Sequence, residues 1–540
     1  MPERPALRPQ HVTPSHLADL ASLLDVVVGN DARDAAADDL PDDSRDVAVS
    51  GITHDSRQVR PGDLYAALPG AVTHGARFAG SAVDAGAVAL LTDPAGAELI
   101  AAGGSPGVPV LVVSDPRARL GELAATVYGH PARDLLLFGV TGTNGKTTTS
   151  YLLESGLRAA GHTTGLIGTV ETRVAGERVP SVRTTPESTD VHALLAVMRE
   201  RGVTACAMEV SSHALVFGRV DGIVFDVAGF TNLTQDHLDF HADIDEYFRV
   251  KASLFTPARA RTAVVCVDQE YGRRLAASTT LPTTTVTTAP GDADWAVVSG
   301  RIEPDGATHA VVRHAGGDGG EGNGAELIDV RVPLPGAFNV ANATLAVAML
   351  AAAGIDVDAA VLGVGSCPGV PGRMEQVVAG PGAPLAVVDY AHTPDAIQNV
   401  LEALRPRGRL IAVVGAGGDR DPHKRPLMGE AAARGADAVV VTDDNPRSED
   451  PSAIRAAVMA GAAATGPGRR GEVVEVAGRR EAIRAALALV RDRADTVVVL
   501  GKGHEQGQEI AGIVHPFDDR EVLREELRRW SESPVAKGAE

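Results

Sequence analysis

Cysteine, aromatic residues and long apolar runs are all scarce in this 540-residue chain, in which aromatic residues make up 3%. The three cysteines, Cys206, Cys266 and Cys367, lie far apart in apolar or Gly/Pro-rich contexts. This pattern favours buried, reduced side chains over disulfides or metal ligands. The best N-terminal apolar stretch, 20–28, is short and interrupted by Asp25, so we expect no signal peptide, no membrane span and a cytoplasmic location.

Basic residues are also scarce relative to acidic ones: the chain has 50 Lys and Arg residues against 70 Asp and Glu residues, which gives a formal charge of -20. A chain that binds nucleic acid over an extended surface needs the opposite balance, so a nucleic-acid partner is not expected. The apolar content of 44% and the charged content of 22% are typical of a globular enzyme. At this length one hydrophobic core is insufficient, and three or four domains are expected.

The pattern of apolar runs predicts three α/β domains, at 1–133, 134–370 and 371–540. The first has a helix over 15–24, an acidic loop over 31–46 and strands over 49–54, 63–68, 88–92 and 109–114. The second has continuous apolar strands of the parallel type over 135–140, 204–210, 224–231 and 263–267, joined by right-handed crossovers. Residues 314–326 are low in complexity and predict a flexible surface excursion between two strands.

A Pro/Gly cluster at 367–373 predicts a hinge into the third, Rossmann-like domain. Its predicted strands are 385–390, 410–414, 438–442 and 496–500, each followed at once by polar or glycine-rich sequence. In an open parallel sheet ligands bind beyond the carboxyl ends of the strands, so these four loops should line one crevice.

A glycine-rich turn at 141–147 follows the strand 135–140 and precedes a predicted helix over 147–159. The backbone N–H groups released by Gly142 and Gly145, the charge of Lys146 and the hydroxyl of Thr147 suit a nucleotide phosphate and Mg²⁺. Val140 stands where the general phosphate-loop signature has a glycine, which makes this a variant of the motif.

Polar residues follow two neighbouring strands of the same predicted sheet. Glu209 ends one strand, and His237 lies in the loop after the next. Because parallel strands end at one edge, both side chains are candidate Mg²⁺ ligands beside Thr147, while helix capping is the alternative.

Lys251 shares a helical stripe with Ile244, Phe248 and Phe255 in the predicted helix 243–255, which places a lysine on the inward face. A buried ammonium must pair with an acid, lose its proton or be modified. A neutral lysine can add CO₂ to form a carbamate, an anionic oxygen ligand for a metal. The alternatives are snorkelling to the surface or a salt bridge to Asp236 or Asp239.

The ordered set of motifs along nearly the whole chain resembles the Mur ligase superfamily, and within it the branch that adds 2,6-diaminopimelate. The matching segments are 55–57, 61–63, 67–70, 141–147, 184–186, 209–213, 231–233, 236–239, Lys251, 335–339, Asn342, 371–375, 389–394, 444–447 and 501–505.

The resemblance implies a UDP-binding domain, a central ATPase domain and a C-terminal domain that closes over an amino acid. The implied reaction is ATP- and Mg²⁺-dependent addition of 2,6-diaminopimelate to UDP-N-acetylmuramoyl-L-alanyl-D-glutamate through an acyl phosphate, in peptidoglycan precursor synthesis by a monomer. The implied catalytic residues are Lys146, Lys251, His237 and Glu209, and the implied metal ligands are Thr147, Glu209, His237 and Lys251 as a carbamate. The implied ATP contacts are Gly142, Thr143, Asn144, Gly145, Lys146, Thr147, Thr148, Asn339, Arg373, Asp389 and His392.

The same resemblance implies contacts to the muramoyl dipeptide from Thr184, Thr185, Ser211 and Arg219, and to the uridine end from Ser56. The implied diaminopimelate contacts are Asp444, Asn445, Arg447, Gly501 and Glu505. Arg447 can grip a second carboxylate with two parallel hydrogen bonds, which lysine as a substrate would not offer. Phe217 departs from the family pattern, in which a polar residue is common, and it is left out of the site.

Other readings remain open from the sequence. One is the same reaction with L-lysine or another diamine, or folate polyglutamylation. Another is a nucleotide switch that hydrolyses ATP without an amino acid, and a third is a pure binding module. The sequence does not distinguish meso- from LL-diaminopimelate.

Overall fold

The computed structural model describes residues 7–26, 46–179, 183–236, 240–303, 307–315, 326–378, 380, 383–405, 408–466 and 472–532. Residues 31–45 of the predicted acidic loop at 31–46 and most of the low-complexity stretch at 314–326 lie outside these residues. Within them, no helix is long and apolar enough to cross a membrane.

The N-terminal part is a small α/β unit, as predicted. Its core is a parallel sheet in the order β3-β4-β5-β6. The predicted strand 49–54 is wrong in one respect: at Ser50, whose N–H bonds to the Gly62 carbonyl, it divides into β2, which pairs with β1, and β3. The elements are β1 Ser15–His16, α1 Leu17–Leu23, β2 Ala48–Val49, β3 Gly51–Thr53, β4 Asp63–Ala66, α2 Ala79–Asp84, β5 Ala89–Thr92, α3 Pro94–Ala102, β6 Val110–Val112 and α4 Pro116–Val127.

The central part is built on a sheet of eleven strands among the described residues, in the order β10-β9-β8-β11-β7-β12-β13-β14-β15-β16-β17. The elements are β7 Leu136–Thr141, α5 Lys146–Ala159, β8 Thr164–Ile167, β9 Thr172–Val174, β10 Glu177–Val179, α6 Ser188–Glu200, β11 Ala205–Glu209, α7 Ser212–Val216, β12 Phe225–Phe230, α8 Ile244–Ala252, β13 Ala260–Cys266, α9 Glu270–Ser278, β14 Thr283–Thr287, β15 Trp295–Ile302, β16 Thr308–His314, β17 Glu326–Val332, α10 Ala337–Ala352 and α11 Val357–Gly365.

The middle of this sheet, β8 to β15, is parallel, and its two edges are antiparallel. Successive residues of β11 enter opposite layers: Cys206 and Met208 pack into one apolar cluster, and Ala205 and Ala207 into the other. A strand buried on both faces reads as a continuous apolar run, which is why the parallel strands were predictable.

The C-terminal part has a six-stranded sheet in the order β18-β19-β23-β20-β21-β22, parallel except for β18. The elements are β18 Glu375–Gln376, β19 Leu385–Asp389, α12 Pro394–Leu404, β20 Leu410–Ala416, α13 Lys424–Gly435, β21 Ala438–Asp443, α14 Pro451–Ala463, β22 Glu472–Glu475, α15 Arg479–Ala488, β23 Thr496–Leu500, β24 Gly507–Ile510, β25 Ile513–Pro516 and α16 Asp519–Ser531. All four predicted strands of this region are present.

The three cysteines are free and buried, as predicted. Burial raises the pKa of the Cys266 thiol to about 12 and also raises the pKa of the Cys206 and Cys367 thiols. Thiols held protonated in this way are poor nucleophiles and poor metal ligands.

Candidate functional site

The glycine-rich turn between β7 and α5 is held open by the loop that follows β12. Thr143 N–H donates to the Asn232 carbonyl at 2.9 Å, Asn144 N–H to Asn232 Oδ1 at 2.9 Å, and Thr231 Oγ1 to the Asn144 carbonyl at 2.6 Å. Gly142 has a φ of +146°, and a Cβ there would lie 1.9 Å from Thr231 Oγ1. The turn therefore needs glycine where it meets the neighbouring strand end.

The side chain of Lys146 folds back over the glycine-rich turn. Its Nζ donates to the carbonyls of Gly142 at 3.0 Å and Thr143 at 2.8 Å. Burial lowers the pKa of the Lys146 ammonium. The two hydrogen bonds hold Nζ inside the turn, where a bound anion would favour its charged form.

Thr147 and Glu209 meet at the end of the parallel strands, as the sequence predicted. Thr147 Oγ1 donates to Glu209 Oε2 at 3.0 Å, and Glu209 is 1% exposed. Glu209 also accepts the N–H of Thr169 at 2.7 Å and its hydroxyl at 3.0 Å. Hydroxyl and carboxylate oxygens are the ligand types that Mg²⁺ prefers, so this pair fits such an ion.

The other predicted metal ligands stand differently. His237 lies outside the described residues. In the part of the chain that the structure describes, no three His, Cys, Asp or Glu side chains are grouped so as to hold a metal ion.

Lys251 on α8 is 1% exposed, so the snorkelling alternative is wrong. Its Nζ donates to the Gly142 carbonyl at 2.7 Å, the same oxygen that accepts from Lys146, and lies 4.6 Å from the centre of the Tyr247 ring. The Asp236 carboxylate attracts the Lys251 ammonium and acts to raise its pKa, while Asp239 lies outside the described residues. Burial and then the nearby Lys146 ammonium lower the pKa of Lys251 well below 10.5, which favours a neutral amine.

The C-terminal part contributes Arg373, Asp389 and His392 to the same place. Arg373 Nη2 donates to Thr147 Oγ1 at 3.3 Å, and its guanidinium lies 4.3 Å from the centre of the Tyr390 ring. The Asp389 carboxylate accepts the backbone N–H groups of Met374 and Ala391, each at 2.7 Å, while burial raises its pKa. Burial lowers the pKa of His392, whose Nδ1 lies 2.8 Å from the Tyr390 carbonyl.

These groups line one cavity of about 470 Å³ between the central and C-terminal parts. A direct link crosses it, because Asn144 Nδ2 donates to Asp395 Oδ2 at 3.5 Å. The predicted site residues that line this cavity are Thr143, Asn144, Gly145, Lys146, Thr147, Thr148, Thr184, Glu209, Ser211, Asn339, Arg373, Asp389 and His392.

Asn339 and Asn342 on α10 fix the wall opposite the glycine-rich turn. Asn342 Nδ2 donates to Asn339 Oδ1 at 3.1 Å, and Asn339 Nδ2 donates to the Pro335 carbonyl at 2.8 Å. A Cβ at Gly145 would lie 2.3 Å from Asn342 Oδ1. Turn and helix are thus in close contact.

The predicted muramoyl-dipeptide residues divide into two groups. Thr184 and Ser211 line the cavity, whereas Thr185 is fully buried beneath it and donates to the Glu209 carbonyl at 2.8 Å. Arg219 pairs with Glu187 at 2.8 Å, away from the cavity lining. Ser56 lies on the N-terminal part, in the 3₁₀ helix Ser56–Gln58.

Phe217, the departure from the family pattern, contacts two arginines. The guanidinium of Arg219 lies 5.5 Å from the centre of its ring, and that of Arg117, from the N-terminal part, lies 5.8 Å away. An aromatic face attracts both cations. Phe217 thus joins the N-terminal part to the central part through its ring.

The predicted amino-acid residues form a second cluster, at the carboxyl ends of β21 and β23. Asn445 Nδ2 donates to Glu505 Oε2 at 2.8 Å. Arg447 has a φ of +53°, and its guanidinium donates to the Gly418 carbonyl at 2.5 Å and pairs with Glu509 at 3.4 Å. The Asp444 carboxylate packs against Gly501, where a Cβ would lie 2.4 Å from Oδ2.

Sequence reasoning missed two buried cations in this cluster. Lys502 is fully buried and bonds to Asn445 and Glu505. Arg479, with a fully buried side chain, makes two 2.7 Å hydrogen bonds to Asp519 and donates to the carbonyls of Asp443 and Leu500. The glycines around Lys502 hid any periodicity, and Arg479 begins a helix, where arginine usually signals a surface.

Three family models match the chain in order. These are "Mur ligase family, catalytic domain" over residues 48–128, "Mur ligase middle domain" over 140–350 and "Mur ligase, glutamate ligase domain" over 372–503.

Individual relatives agree with these models. The chain is 55% identical over 526 residues to UDP-N-acetylmuramoyl-L-alanyl-D-glutamate--2,6-diaminopimelate ligase of Streptomyces avermitilis, covering 97% of this chain and 98% of that protein. It is 50% identical to the protein of the same name from Corynebacterium glutamicum, covering 86% and 89%. A solved structure of a ligase of that name is 31% identical, with a TM-score of 0.61, covering 91% and 97%. The chain belongs to the Mur ligase family.

Proposed function

We propose that this chain is an ATP-dependent ligase that joins 2,6-diaminopimelate to the D-glutamyl γ-carboxylate of UDP-N-acetylmuramoyl-L-alanyl-D-glutamate, a step in peptidoglycan precursor synthesis. Near full-length similarity to ligases of that name supports the choice of substrates. The observation that carries the proposal is the cavity in which the glycine-rich turn meets Arg373, Asp389 and His392. We further propose domain bounds of 1–133, 134–370 and 371–540, and a monomer in the cytoplasm.

In this proposal ATP lies along the cavity with its phosphates in the glycine-rich turn. Lys146, which donates to the Thr143 carbonyl, and Arg373, which donates to Thr147, both line the cavity and would neutralise charge on the phosphate that is transferred. Asn339 and Asn342 would face the nucleotide from α10, and Asp389 would hold the backbone of Met374 and Ala391 in place. The substrate γ-carboxylate would attack the γ-phosphorus, ADP would leave, and an acyl phosphate would form.

Thr147 and Glu209 would hold Mg²⁺, with His237 as a further proposed ligand. Bound Mg²⁺ would supply charge neutralisation at the phosphate oxygens. Addition of CO₂ to the Lys251 amine, with loss of a proton, would give a carbamate, which is an anionic oxygen ligand next to Lys146. Two observations support that assignment: Lys251 is buried, and burial together with the nearby Lys146 ammonium lowers its pKa and so favours the neutral amine.

The second cluster would bind the incoming amino acid. Arg447 would grip one carboxylate of diaminopimelate with two parallel hydrogen bonds, and Glu505 would accept from the distal ammonium. Asp444 and Gly501 would shape the wall between them. The amine at the other end would displace phosphate from the acyl phosphate. Thr184, Thr185, Ser211, Arg219 and Ser56 would hold the UDP-muramoyl dipeptide.

The test is phosphate release from ATP by the full chain with UDP-N-acetylmuramoyl-L-alanyl-D-glutamate, comparing meso-diaminopimelate, LL-diaminopimelate, L-lysine and no amine. We expect turnover with a diaminopimelate isomer and at least about 100-fold lower kcat/KM with lysine, because a site built around a charged pair rejects an analogue lacking the partner. Equal turnover with lysine would refute the role of Arg447. Turnover without any amine would favour a nucleotide switch instead.

A further inference from the structure

A buried ammonium connects the two loops of the proposed amino-acid site. The side chain of Lys502 is fully buried, and its Nζ donates to Asn445 Oδ1 at 2.8 Å and to Glu505 Oε2 at 2.9 Å. Asn445 Nδ2 donates to the same Glu505 oxygen at 2.8 Å. The three side chains form a closed triangle between the end of β21 and the end of β23.

The loop that carries Lys502 has little freedom to move. Gly501 and Gly503 flank it with φ values of +113° and +54°. A Cβ at Gly503 would lie 2.7 Å from both the Gly372 carbonyl oxygen and Tyr390 Cβ. The backbone on either side of Lys502 is therefore fixed by packing, and this fixes the position of the Lys502 ammonium relative to Asn445 and Glu505.

The hydrogen bonds within the triangle leave two polar groups available to a ligand. Asn445 Oδ1 accepts from Lys502 and, at 3.0 Å, from the Glu509 N–H, which occupies both of its lone pairs. Glu505 Oε2 accepts from Lys502 and from Asn445. Among the described residues nothing bonds to Glu505 Oε1 or to the second Nδ2 hydrogen of Asn445, so one acceptor and one donor remain.

We propose that Lys502 is a positioning residue that fixes the orientation of the Asn445 amide and of the Glu505 carboxylate. The pocket then offers one oxygen to an ammonium and one N–H to a carboxylate, the two groups at the distal end of a diamino dicarboxylic acid. This inference rests on the proposed function and deepens it. Without the ammonium, the Asn445 amide can flip and the Glu505 carboxylate can rotate away from the pocket. The pocket then no longer presents one acceptor oxygen and one N–H donor in fixed positions.

The test compares Lys502→Met with Lys502→Arg in the full chain by steady-state phosphate release, with each of the three substrates varied in turn. Loss of a charged hydrogen-bond donor at a buried site corresponds to about a 10- to 100-fold weaker interaction. We expect K502M to raise KM for diaminopimelate by that factor with KM for ATP within about threefold of wild type, and K502R to recover part of the loss. An unchanged KM for diaminopimelate in a folded K502M enzyme would overturn the proposal.

Glu505→Gln supplies a second test that keeps Lys502 and the shape of the side chain. Lys502 and Asn445 both donate to the inner atom, so they would hold the amide oxygen inward and turn its NH₂ toward the ligand ammonium. We expect KM for diaminopimelate to rise more than about tenfold in E505Q, and less than multiplicatively on adding K502M, because the double variant frees the amide to turn. Multiplicative effects would overturn the proposal, as would an unchanged KM in E505Q.

Thermal unfolding of each variant separates loss of fold from loss of positioning. If K502M does not fold, E505Q and K502R still decide the matter through the KM for diaminopimelate. A purely structural Lys502 would lower kcat through the active fraction and leave that KM unchanged. Wild-type enzyme that turns over no diamino acid would refute the proposed function itself, whereas wild-type turnover with unaltered variants would refute only the positioning role.

Discussion

Gly145 and Gly161, which lie just before and just after α5, provide a matched pair of alanine substitutions. Both have a φ of +88°, so alanine at either position carries a similar backbone strain of about 1–2 kcal/mol. They differ in surroundings: a Cβ at Gly161 meets nothing within 4 Å, whereas a Cβ at Gly145 would lie 2.3 Å from Asn342 Oδ1. The comparison therefore controls for backbone strain at a glycine with positive φ and tests the position of Gly145 in the cavity wall against α10.

A Cβ contact of 2.3 Å is not tolerated, so in Gly145→Ala either the turn or Asn342 must move by several tenths of an ångström. Asn342 is bonded to Asn339, and both line the cavity, so the shift falls on the proposed nucleotide site. A displacement approaching 1 Å at a reacting centre costs up to about 100-fold in rate. We expect kcat/KM for ATP to fall about 10- to 100-fold in G145A and to stay near wild type in G161A.

The assay is phosphate release as a function of ATP concentration, with thermal unfolding of both variants as the check on stability. Both should unfold at a lower temperature than wild type, since they share the strain. Equal kcat/KM for ATP in the two variants would refute the reasoning, because Gly145 lines the cavity and lies against Asn342, whereas Gly161 does neither.

Three further predictions concern other parts of the molecule. Asp519→Asn removes the carboxylate that makes two hydrogen bonds to the buried Arg479 and leaves it Asp444, whose carboxylate lies 3.8 Å away, so it should cost about 3–5 kcal/mol of unfolding free energy. Glu177→Gln in the exposed pair with Arg201 should cost less than about 1 kcal/mol, and equal losses in denaturant unfolding would contradict this. Because the lowered pKa of Lys251 means that the unfolded chain binds more protons, wild type should gain stability over Lys251→Met as the pH rises toward 10.5, and a flat difference would show that Lys251 is charged in the fold. Arg447→Lys keeps the charge but loses the planar guanidinium that can make two parallel hydrogen bonds to a carboxylate, so kcat/KM for diaminopimelate should fall about 10- to 100-fold. An unchanged value would remove Arg447 from the site.

The parallel strands and the phosphate turn could be predicted from sequence because each has a strong local signal. The strand β23 has the predicted bounds, β7 begins and ends one residue later than predicted, and α5 begins one residue earlier. The antiparallel strands β9, β10 and β15 were not predicted, and β16 and β17 were predicted only as two strands without bounds on either side of 314–326. Their residues alternate or are short and polar, and their pairing depends on neighbours that a single sequence does not reveal.

The inward position of Lys251 could be predicted from helical spacing, but its partner could not. The Gly142 carbonyl is 109 residues away in sequence and reaches Lys251 only through the packing of α8 against the turn. Lys502 is the converse case, since its glycine-rich context resembles an exposed loop while the fold buries it completely. Both depend on tertiary contacts, which local patterns do not encode.

The hydrogen bond between Asn144 and Asp395 has a thermodynamic consequence. It ties the turn that would hold the phosphates to the first turn of α12 in the C-terminal part, and Arg373 adds a second tie to Thr147. Nucleotide affinity and the arrangement of these two parts are therefore linked functions. Any ligand of the C-terminal part that favours this arrangement must raise the affinity for nucleotide by some factor, and nucleotide must raise the affinity for that ligand by the same factor.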